Sequence, residues 1–400
     1  MVQTQPAIDQ RFGVPLTTLS EDEQMFRATV REFAEGELRP RVAEMDEHGK
    51  LDPDLIKQCF DLSLMGIETP EEYGGVGASF FTAILAVEEL SRVDASVGVF
   101  VDVQNTLVNN AFIRYGNEQQ KRKYLPQLAN ERVGAYALSE AGSGSDAFAM
   151  QTRAVDKGDH FLINGQKVWT SGAHFAHWII VLARTDPNAP KHKGISAFLV
   201  PLDTKGITVR PLVLLTGHRH FNEVFFEDVV VPKENLLGPL NQGWTVSTTT
   251  LMHERHSAGA RNPIGQVKSL IAVARRLRHD GDTAWDDPLV RQRLAQLAID
   301  CEAMKYTRMR SLTRQLRGEP PGPEGSILKV FGSELGVRIA DAAGEILGMH
   351  ALVNEGSEEV PDAPRWFNRV LAARQYTISA GTSEIQRNII GERVLGLPKG

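Results

Sequence analysis

The sequence predicts a mostly helical protein with a β-rich middle domain, in the order helices, strands, helices. Apolar residues recur at helical spacing up to about residue 130 and again after Gly243. Between these regions, short runs rich in Val, Ile and Phe are bounded by Gly, Pro and Asp, a pattern typical of strands. We therefore expect three domains, at residues 1–131, 132–242 and 243–400.

The composition excludes several classes of protein. The chain has 400 residues, of which 42% are hydrophobic and 24% charged, as in a globular protein. Its net charge of −6 argues against nucleic acid as the main partner. Its two cysteines, Cys59 and Cys301, lie far apart in sequence, which predicts no disulfide framework and suits a reducing compartment.

Targeting, membrane and metal-binding patterns are absent from the sequence. No apolar run is long enough to span a bilayer, and "MVQTQPAIDQRFGVP" lacks the apolar core of a signal peptide. We therefore expect a cytoplasmic protein with no membrane association. The 11 histidines show no HExxH spacing, and we expect no metal.

The first domain begins with a helix whose start is marked in the sequence. Ser20 and Glu23 have the spacing of a capping box, and Pro40 interrupts the helical pattern that follows. The region "FTAILAVEELSRVDASVGVFVDVQNTLVNNAFIRYG" is long and mostly apolar, which predicts helix buried inside a bundle.

The middle domain contains a dipeptide that favours a tight turn. Asn164-Gly165 stands between two short apolar runs, which predicts a hairpin with a type I′ turn. Further strands are expected in "HWIIVLART", "ISAFLVPL" and "EVFFEDVVVP".

The last domain contains four helical stretches, which predicts a four-helix bundle. The first stretch, "WTVSTTTLMHERHSAGARNPIGQVKSLIAVARRLRH", predicts one long helix bent near Pro263. In the last, "SEIQRNIIGERVLG", Ser383 and Gln386 have capping-box spacing, and a helix start of this kind can bind phosphate oxygens.

Two motifs in the middle domain favour ligand binding over a purely structural role only when they are taken together. "YALSEAGSGSD" offers small residues and hydroxyls to a ligand, although a surface turn is the better explanation of this motif in isolation. "QKVWTSG" places an indole beside two hydroxyls, which suits a flat ring with polar edges such as a flavin. A half-buried strand tryptophan is the structural alternative.

These motifs, in this order, resemble the acyl-CoA dehydrogenase family. The resemblance runs through "EEYGGVGAS", "YALSEAGSGSD", "KVWTSG", "FFEDVVVPKENLLG" and "GTSEIQRNIIGERVLG", and the first half is most similar to short/branched-chain members. It implies an N-terminal helical domain, a β-barrel-like middle domain and a C-terminal four-helix bundle, in a homotetramer or dimer. It also implies FAD as cofactor, an acyl-CoA substrate and an electron-transfer flavoprotein as partner.

The resemblance also implies roles for individual residues. The flavin-binding residues would be Tyr136, Leu138, Ser139, Trp169, Ser171, Thr382 and Glu384. Ser139 would reach the pyrimidine edge, Trp169 would lie against the ring, and Ser171 would lie near N5. Ser145 would touch the CoA arm.

The family's reaction removes a proton from Cα of the acyl thioester while a hydride leaves Cβ for flavin N5. It therefore needs a base for the α-proton, and the family's usual base is missing here. In most of the family a Glu directly precedes the Gly-Thr pair, but this chain has Ala380. Isovaleryl-CoA and long-chain acyl-CoA dehydrogenases instead carry a Glu-Arg pair on the first long helix of the last domain, matched here by Glu254-Arg255. We expect Glu254 to be the base and Arg255 to orient polar groups at the substrate, although a solvated helix surface is the alternative for both.

Other expectations follow from the same comparison. The backbone N–H of Ala380 would donate to the thioester oxygen, and its small side chain would leave room for a branched acyl group. The Arg-x-x-Phe-Gly stretch that usually holds a neighbouring subunit's FAD has no match in "RRLRHDGDTAWDDPLVRQRL". The alternative functions are a flavin-dependent oxygenase of the same fold and a non-catalytic flavin-binding scaffold.

Overall fold

The computed structural model describes residues 16, 18–258, 263–279, 281–317, 319, 322–353, 360 and 363–399. The described residues belong to two compact units, one of residues 18–257 and one of residues 258–399 together with Leu16. The first unit contains the N-terminal helices, the sheet and almost all of the eighth helix. The second contains the remaining helices.

The helices of the first unit pack around an apolar core. They are α1 (Glu21–Phe33), α2 (Val42–His48), α3 (Pro53–Asp61), α4 (Phe80–Val93), α5 (Ala95–Val103), α6 (Asn110–Tyr115), α7 (Glu118–Asn130) and α8 (Gly243–Ala258). The predicted capping box is confirmed, because the Ser20 hydroxyl accepts from the Glu23 N–H at 3.2 Å and the Glu23 carboxylate accepts from the Ser20 N–H at 2.7 Å. A core that includes Leu38, Leu64 and Leu90 joins the first helices.

The same unit contains one eight-stranded sheet. Its strands are β1 (Gly134–Ala137), β2 (Arg153–Asp156), β3 (His160–Ser171), β4 (Trp178–Arg184), β5 (Ile195–Pro201), β6 (Ile207–Leu212), β7 (Phe221–Pro232) and β8 (Leu236–Leu237). The order is β6-β7-β3-β2-β4-β5-β8, and β1 pairs in parallel with β4. The strands predicted in "HWIIVLART", "ISAFLVPL" and "EVFFEDVVVP" correspond to β4, β5 and β7.

The sheet curls so that distant strands meet on its inner face. Phe161 of β3 and Phe198 of β5 are separated by two strands in the sheet order, yet their ring centroids lie 4.9 Å apart. The outer side chains of the central strands, such as Ile180 and Leu199, pack in a cluster with helical residues that include Phe112. The middle domain is therefore a curved, barrel-like sheet covered by helices on one side.

The predicted hairpin at Asn164-Gly165 is wrong, because both residues lie inside the continuous strand β3. They form an irregularity in the pairing of β3 with β7, where Asn164 opposes the extra residue Asp228. The Asn164 side chain donates to the Asp228 carboxylate at 3.0 Å and accepts from its backbone N–H at 2.9 Å. A Cβ on Gly165 would lie 2.5 Å from the Thr152 hydroxyl, so the close approach of Thr152, the residue before β2, requires glycine.

The second unit is a helical domain with its own core. Its elements are α9 (Ile264–Ala274), β9 (Arg278–His279), β10 (Asp282–Thr283), α10 (Pro288–Leu316), α11 (Gly325–Leu347), α12 (Ala363–Ala372) and α13 (Ser383–Ile389). Trp366 is fully buried among residues of the other helices, including Leu270, Leu297 and Ile339. Among the described residues, no helix is both long enough and apolar enough to cross a membrane.

The stretch predicted as one long helix forms two described helices, α8 and α9. Pro263 directly precedes α9 and stands at its N-cap position. The predicted bend falls partly on residues 259–262, which lie outside the described residues. A short antiparallel pair, β9 with β10, then follows where continued helix was expected.

Candidate active site

Trp169 has an unusual backbone conformation that turns its indole outward. Its φ is +61°, a left-handed value that is rare for a large side chain and costs about 1–3 kcal/mol. The pairing of β3 with β7 is irregular between Lys167 and Thr170, where one extra residue stands on β3. As a result the Trp169 side chain is 57% exposed while Thr170 is buried. The sheet thus presents a flat aromatic surface.

The aromatic residues beside Trp169 are held in a row. The ring of Phe221 meets the indole edge-on at 6.0 Å, and the His220 ring lies 4.5 Å from Phe221. Burial, with smaller contributions from His218 and His174, lowers the pKa of His220 to about 4. The His220 imidazole is therefore neutral at physiological pH.

The end of β1 lies directly beside this part of β3. The Val168 N–H donates to the Ser139 carbonyl at 2.9 Å, so Ser139 adjoins the residue before Trp169. Tyr136 and Leu138 are half-buried in the same segment. The structure therefore brings together Tyr136, Leu138, Ser139, Trp169 and Ser171, which the resemblance had assigned to the flavin.

A buried ion pair that the sequence analysis did not single out supports this region. The Lys167 ammonium lies 2.8 Å from the Glu140 carboxylate and 2.9 Å from the Leu138 carbonyl. The Glu140 carboxylate also accepts the backbone N–H groups of Gln151 at 2.6 Å and Thr152 at 2.9 Å. The sequence feature that could have indicated this pair is a lysine within a strand pattern, in the "QKVW" motif.

Ser145 lies in an exposed turn that leaves the same segment. The backbones of Glu140 and Ser143 exchange hydrogen bonds of 3.1 Å, and the Ser143 hydroxyl donates to the Asp146 carbonyl at 2.7 Å. These bonds fix the turn while Ser145 faces solvent. An exposed hydroxyl at this point is accessible to a ligand.

Ala380 has a left-handed backbone in the turn before the last helix. Its φ is +54°, and Gly381 follows with a φ of +88°. The Ala380 carbonyl accepts from the Gln386 side-chain amide at 2.9 Å. Among the described residues, no hydrogen bond uses the Ala380 N–H as donor. The turn therefore leaves a backbone donor available.

The predicted capping box of Ser383 and Gln386 is wrong, because the N-cap of α13 is Thr382. The Thr382 hydroxyl accepts from the Ile385 N–H at 3.2 Å, and the Gln386 side chain turns back to Ala380. Glu384 is exposed in the first turn. Its own backbone N–H, with the Thr382 hydroxyl, holds the pKa of Glu384 below its ordinary value.

Positions 254 and 255 lie in α8, but the side chains of Glu254 and Arg255 are outside the described residues. The residue before them is described. His253 is almost fully buried, and its Nε2 atom lies 3.0 Å from the Glu68 carboxylate. This histidine–carboxylate pair joins residues 185 positions apart and has no local sequence signal.

The chain matches family profiles along nearly its whole length. Residues 20–132 match "Acyl-CoA dehydrogenase, N-terminal domain", residues 135–229 match the middle domain and residues 241–395 match the C-terminal domain of the same family. A similar curated protein is the mitochondrial short/branched chain specific acyl-CoA dehydrogenase of Bos taurus. It is 36% identical over 383 residues, which cover 94% of this chain and 87% of that protein.

Solved structures agree in fold. Butyryl-CoA dehydrogenase from Megasphaera elsdenii aligns with a TM-score of 0.84 and 29% identity, covering 94% of this chain and 99% of that one. A structure described as "Electron transferring flavoprotein of Acidaminococcus fermentans" aligns with a TM-score of 0.85 and 31% identity, covering 94% and 98%. This chain therefore belongs to the acyl-CoA dehydrogenase family of oxidoreductases and is an FAD-dependent flavoprotein.

Proposed function

We propose that this protein catalyses α,β-dehydrogenation of acyl-CoA thioesters with short or branched acyl groups. The names of the Bos taurus and Megasphaera elsdenii relatives support that substrate class. The single observation that carries the flavin chemistry is the outward-facing indole of Trp169, in a strained conformation beside the end of β1.

The residues around Trp169 fit an isoalloxazine ring. A flavin needs a flat apolar surface for its ring and polar groups for its edges. The indole offers the surface, with Tyr136 and Leu138 beside it, and the hydroxyls of Ser139 and Ser171 offer the edges. In this proposal Ser139 reaches the pyrimidine edge and Ser171 lies near N5.

The turn before α13 would serve both cofactor and substrate. Thr382 and Glu384 would contact FAD at the start of the helix, where unpaired N–H groups favour phosphate oxygens. The Ala380 N–H would donate to the thioester oxygen, where negative charge develops, and the loss of one such donor typically costs about 3–4 kcal/mol. When bound, FAD supplies the acceptor for a hydride from the substrate Cβ.

Glu254 would remove the proton from Cα of the substrate. Position 254 lies on α8, one residue after His253, which is almost fully buried. An apolar environment raises a catalytic carboxyl's pKa, to about 6–7 in tuned cases, which suits a general base. Ala380 cannot accept a proton, so the base must come from another position.

Further contacts complete the proposed substrate site. Ser145 would bind the CoA arm, and Arg255 would orient polar groups at the thioester. The methyl side chain of Ala380 would leave room for a branched acyl group.

The remaining proposals concern organisation and partners. We place the domain boundaries at residues 131/132 and 242/243 and expect a homotetramer or dimer. The Arg-x-x-Phe-Gly stretch usual in the family has no match here, and that region contains the β9–β10 pair and a cation–π contact of Arg275 with Trp285. The adenine end of FAD would therefore be held differently. An electron-transfer flavoprotein would accept the electrons, in keeping with the description of the Acidaminococcus fermentans structure.

The decisive experiment is anaerobic bleaching of bound flavin by straight and branched acyl-CoAs. The native protein, Glu254→Gln and the control Glu302→Gln are compared side by side. Glu302 lies on α10 and pairs with Lys305 at 3.6 Å. Glu302→Gln therefore makes the same chemical change on a helix, at a carboxylate whose partner is local. We expect the native protein and the control to bleach with at least one acyl-CoA, and Glu254→Gln to stay oxidised.

Two results would count against the proposal. Equal bleaching of native protein and Glu254→Gln would place the base elsewhere. No bleaching of the native protein by any acyl-CoA would overturn the dehydrogenase activity itself.

A further inference from the structure

The Lys167–Glu140 ion pair is almost completely buried. Lys167 has 0% of its surface exposed, and its ammonium contacts the Glu140 carboxylate, the Leu138 carbonyl and, at 3.9 Å, the Met150 sulfur. The Glu140 carboxylate accepts bonds from Lys167 and from two backbone N–H groups. Both charges therefore have partners in a site without solvent.

A buried ion pair of this kind is weak evidence of added stability. Transferring two charges out of water costs about as much as their attraction returns, and apolar replacements of buried pairs are often neutral or stabilising. Burial also lowers the pKa of Lys167 to about 8, so keeping the ammonium charged opposes folding. Burial acts against the charged form of Glu140 too, but the Lys167 charge and the backbone donors outweigh it and hold the pKa of Glu140 below its ordinary value. Since the opposing effects on the two groups leave little net stabilisation, we look for the role of the pair in what it positions.

Hydrogen bonds from Lys167 and its neighbour Val168 converge on three consecutive residues, 138–140. The carbonyl of Leu138 and the carboxylate of Glu140 both bond the Lys167 ammonium, and the carbonyl of Ser139 between them bonds the Val168 N–H. Residues 167 and 168 directly precede Trp169 on β3. The segment 138–140 is thus fixed to the strand at the point where the strand turns its indole outward.

We propose that Lys167 and Glu140 are positioning residues that hold the segment 138–140 and Trp169 in register, and that they thereby set the affinity and the environment of FAD. The inference rests on the proposed placement of Leu138, Ser139 and Trp169 against the flavin. Neither side chain needs to contact FAD itself.

The first test measures FAD binding to apoprotein of the native chain, Lys167→Met and Glu140→Gln. Lys233→Met is the control, because Lys233 forms an exposed ion pair of 2.7 Å with Asp156 on the same sheet. We expect the dissociation constant for FAD to rise about tenfold or more in both pair variants, with a shifted visible spectrum of bound flavin. The control should keep the native constant and spectrum.

The double variant Lys167→Met/Glu140→Gln separates positioning from stability. Removing both charges leaves no unpaired charge, so its thermal unfolding midpoint should equal or exceed those of the single variants. We expect its FAD affinity to remain weak despite that recovery. If any folded pair variant bound FAD with the native constant and spectrum, the proposal would be overturned.

A third measurement uses the native protein alone, so it does not depend on any variant folding. The charged groups around the Lys167 ammonium are Glu140, in contact, and Arg184, whose guanidinium bonds the carbonyls of Phe148 and Met150. Raising the pH from about 7 to about 9 neutralises Lys167, so the FAD dissociation constant should rise through that range. A constant that stays unchanged would contradict the proposal. Native protein that binds no FAD at any pH would instead overturn the proposed function on which it rests.

Discussion

The Nε2 atom of His253 lies 3.0 Å from the Oε2 atom of Glu68, which joins the end of α8 to the loop after α3. His253 is 4% exposed, and its ring centroid lies 4.1 Å from that of Phe80 at the start of α4. The pair therefore fixes α8 one residue before position 254. The position of the proposed base depends on a contact that spans 185 residues of sequence.

Substitution His253→Leu should destabilise the protein. It leaves the Glu68 carboxylate largely buried without its imidazole partner, which costs about 1–3 kcal/mol. The thermal unfolding midpoint followed by circular dichroism would measure the loss. The control His160→Leu removes a partly exposed imidazole from the exposed carboxylate of Asp159 and should stay within about 0.5 kcal/mol of native. Equal effects of the two substitutions would contradict this account of the pair.

FAD should quench the fluorescence of Trp169 when it binds to apoprotein. Trp169 is one of 5 tryptophans and is exposed on the sheet, where an aromatic ligand can stack on it. Titration of Trp169→Phe with FAD should show less quenching than the native protein. In Trp285→Phe, which removes the half-buried partner of Arg275, FAD should quench the fluorescence as strongly as in the native protein. If the two variants quenched alike, Trp169 would not lie against the flavin.

Gly165→Ala should destabilise the sheet. The φ of Gly165 is +152°, and an added Cβ would lie 2.6 Å from the backbone of Thr152 as well as near its hydroxyl. We expect a loss of about 1–3 kcal/mol in the free energy of unfolding, measured by urea titration. Gly36→Ala is the control, because a Cβ there meets nothing within 4 Å, and it should be neutral or stabilising. A neutral Gly165→Ala would show that Thr152 can move away.

Ala380→Gly should leave stability within about 0.5 kcal/mol of native, because relief of strain at a φ of +54° offsets the added freedom of the unfolded chain. Ala380→Val should lower it by about 1–3 kcal/mol, since β-branched residues strongly disfavour this conformation. Thermal unfolding would measure both variants. Ala303→Val, at an exposed position of α10, controls for the valine and should lose less than Ala380→Val.

The contribution of Lys167 to the stability of the native protein should rise with pH between about 8 and 10.5. The pKa of Lys167 falls from 10.5 to about 8 on folding, so between these values the unfolded chain binds more protons than the folded one. The free energy of unfolding then rises by at most about 1.4 kcal/mol per pH unit. The free energies of unfolding of native protein and Lys167→Met, each measured by denaturant titration over a series of pH values, should therefore diverge above about pH 8. If the two free energies changed with pH in parallel, the account of Lys167 as a buried charge would be refuted.

Local patterns predicted most of the architecture. The order of helices, strands and helices follows from residue periodicity, which depends on neighbours a few positions away. The Ser20–Glu23 capping box was predictable for the same reason, because both partners lie in one helical turn. The two sequence motifs also located the group of residues around Trp169.

Contacts between distant residues decided what the sequence left unpredicted. Asn164-Gly165 suits a type I′ turn, but its side-chain partner Asp228 lies 64 residues away and keeps the strand continuous. The Lys167–Glu140 pair spans 27 residues. At α13, Thr382 and Ser383 are both acceptable N-caps, and the turn at Ala380 determined which one is used.

The continuity of β3 also bears on where foreign sequence can be inserted into this protein. The dipeptide Asn164-Gly165 suggests a turn at which an epitope could be inserted or the chain split. An insertion there would interrupt β3, which is paired along its length with β7. The connection between β6 and β7, where Val213 and Leu215 are exposed, offers a surface tip that joins two paired strands without interrupting either. A reporter domain belongs at that tip.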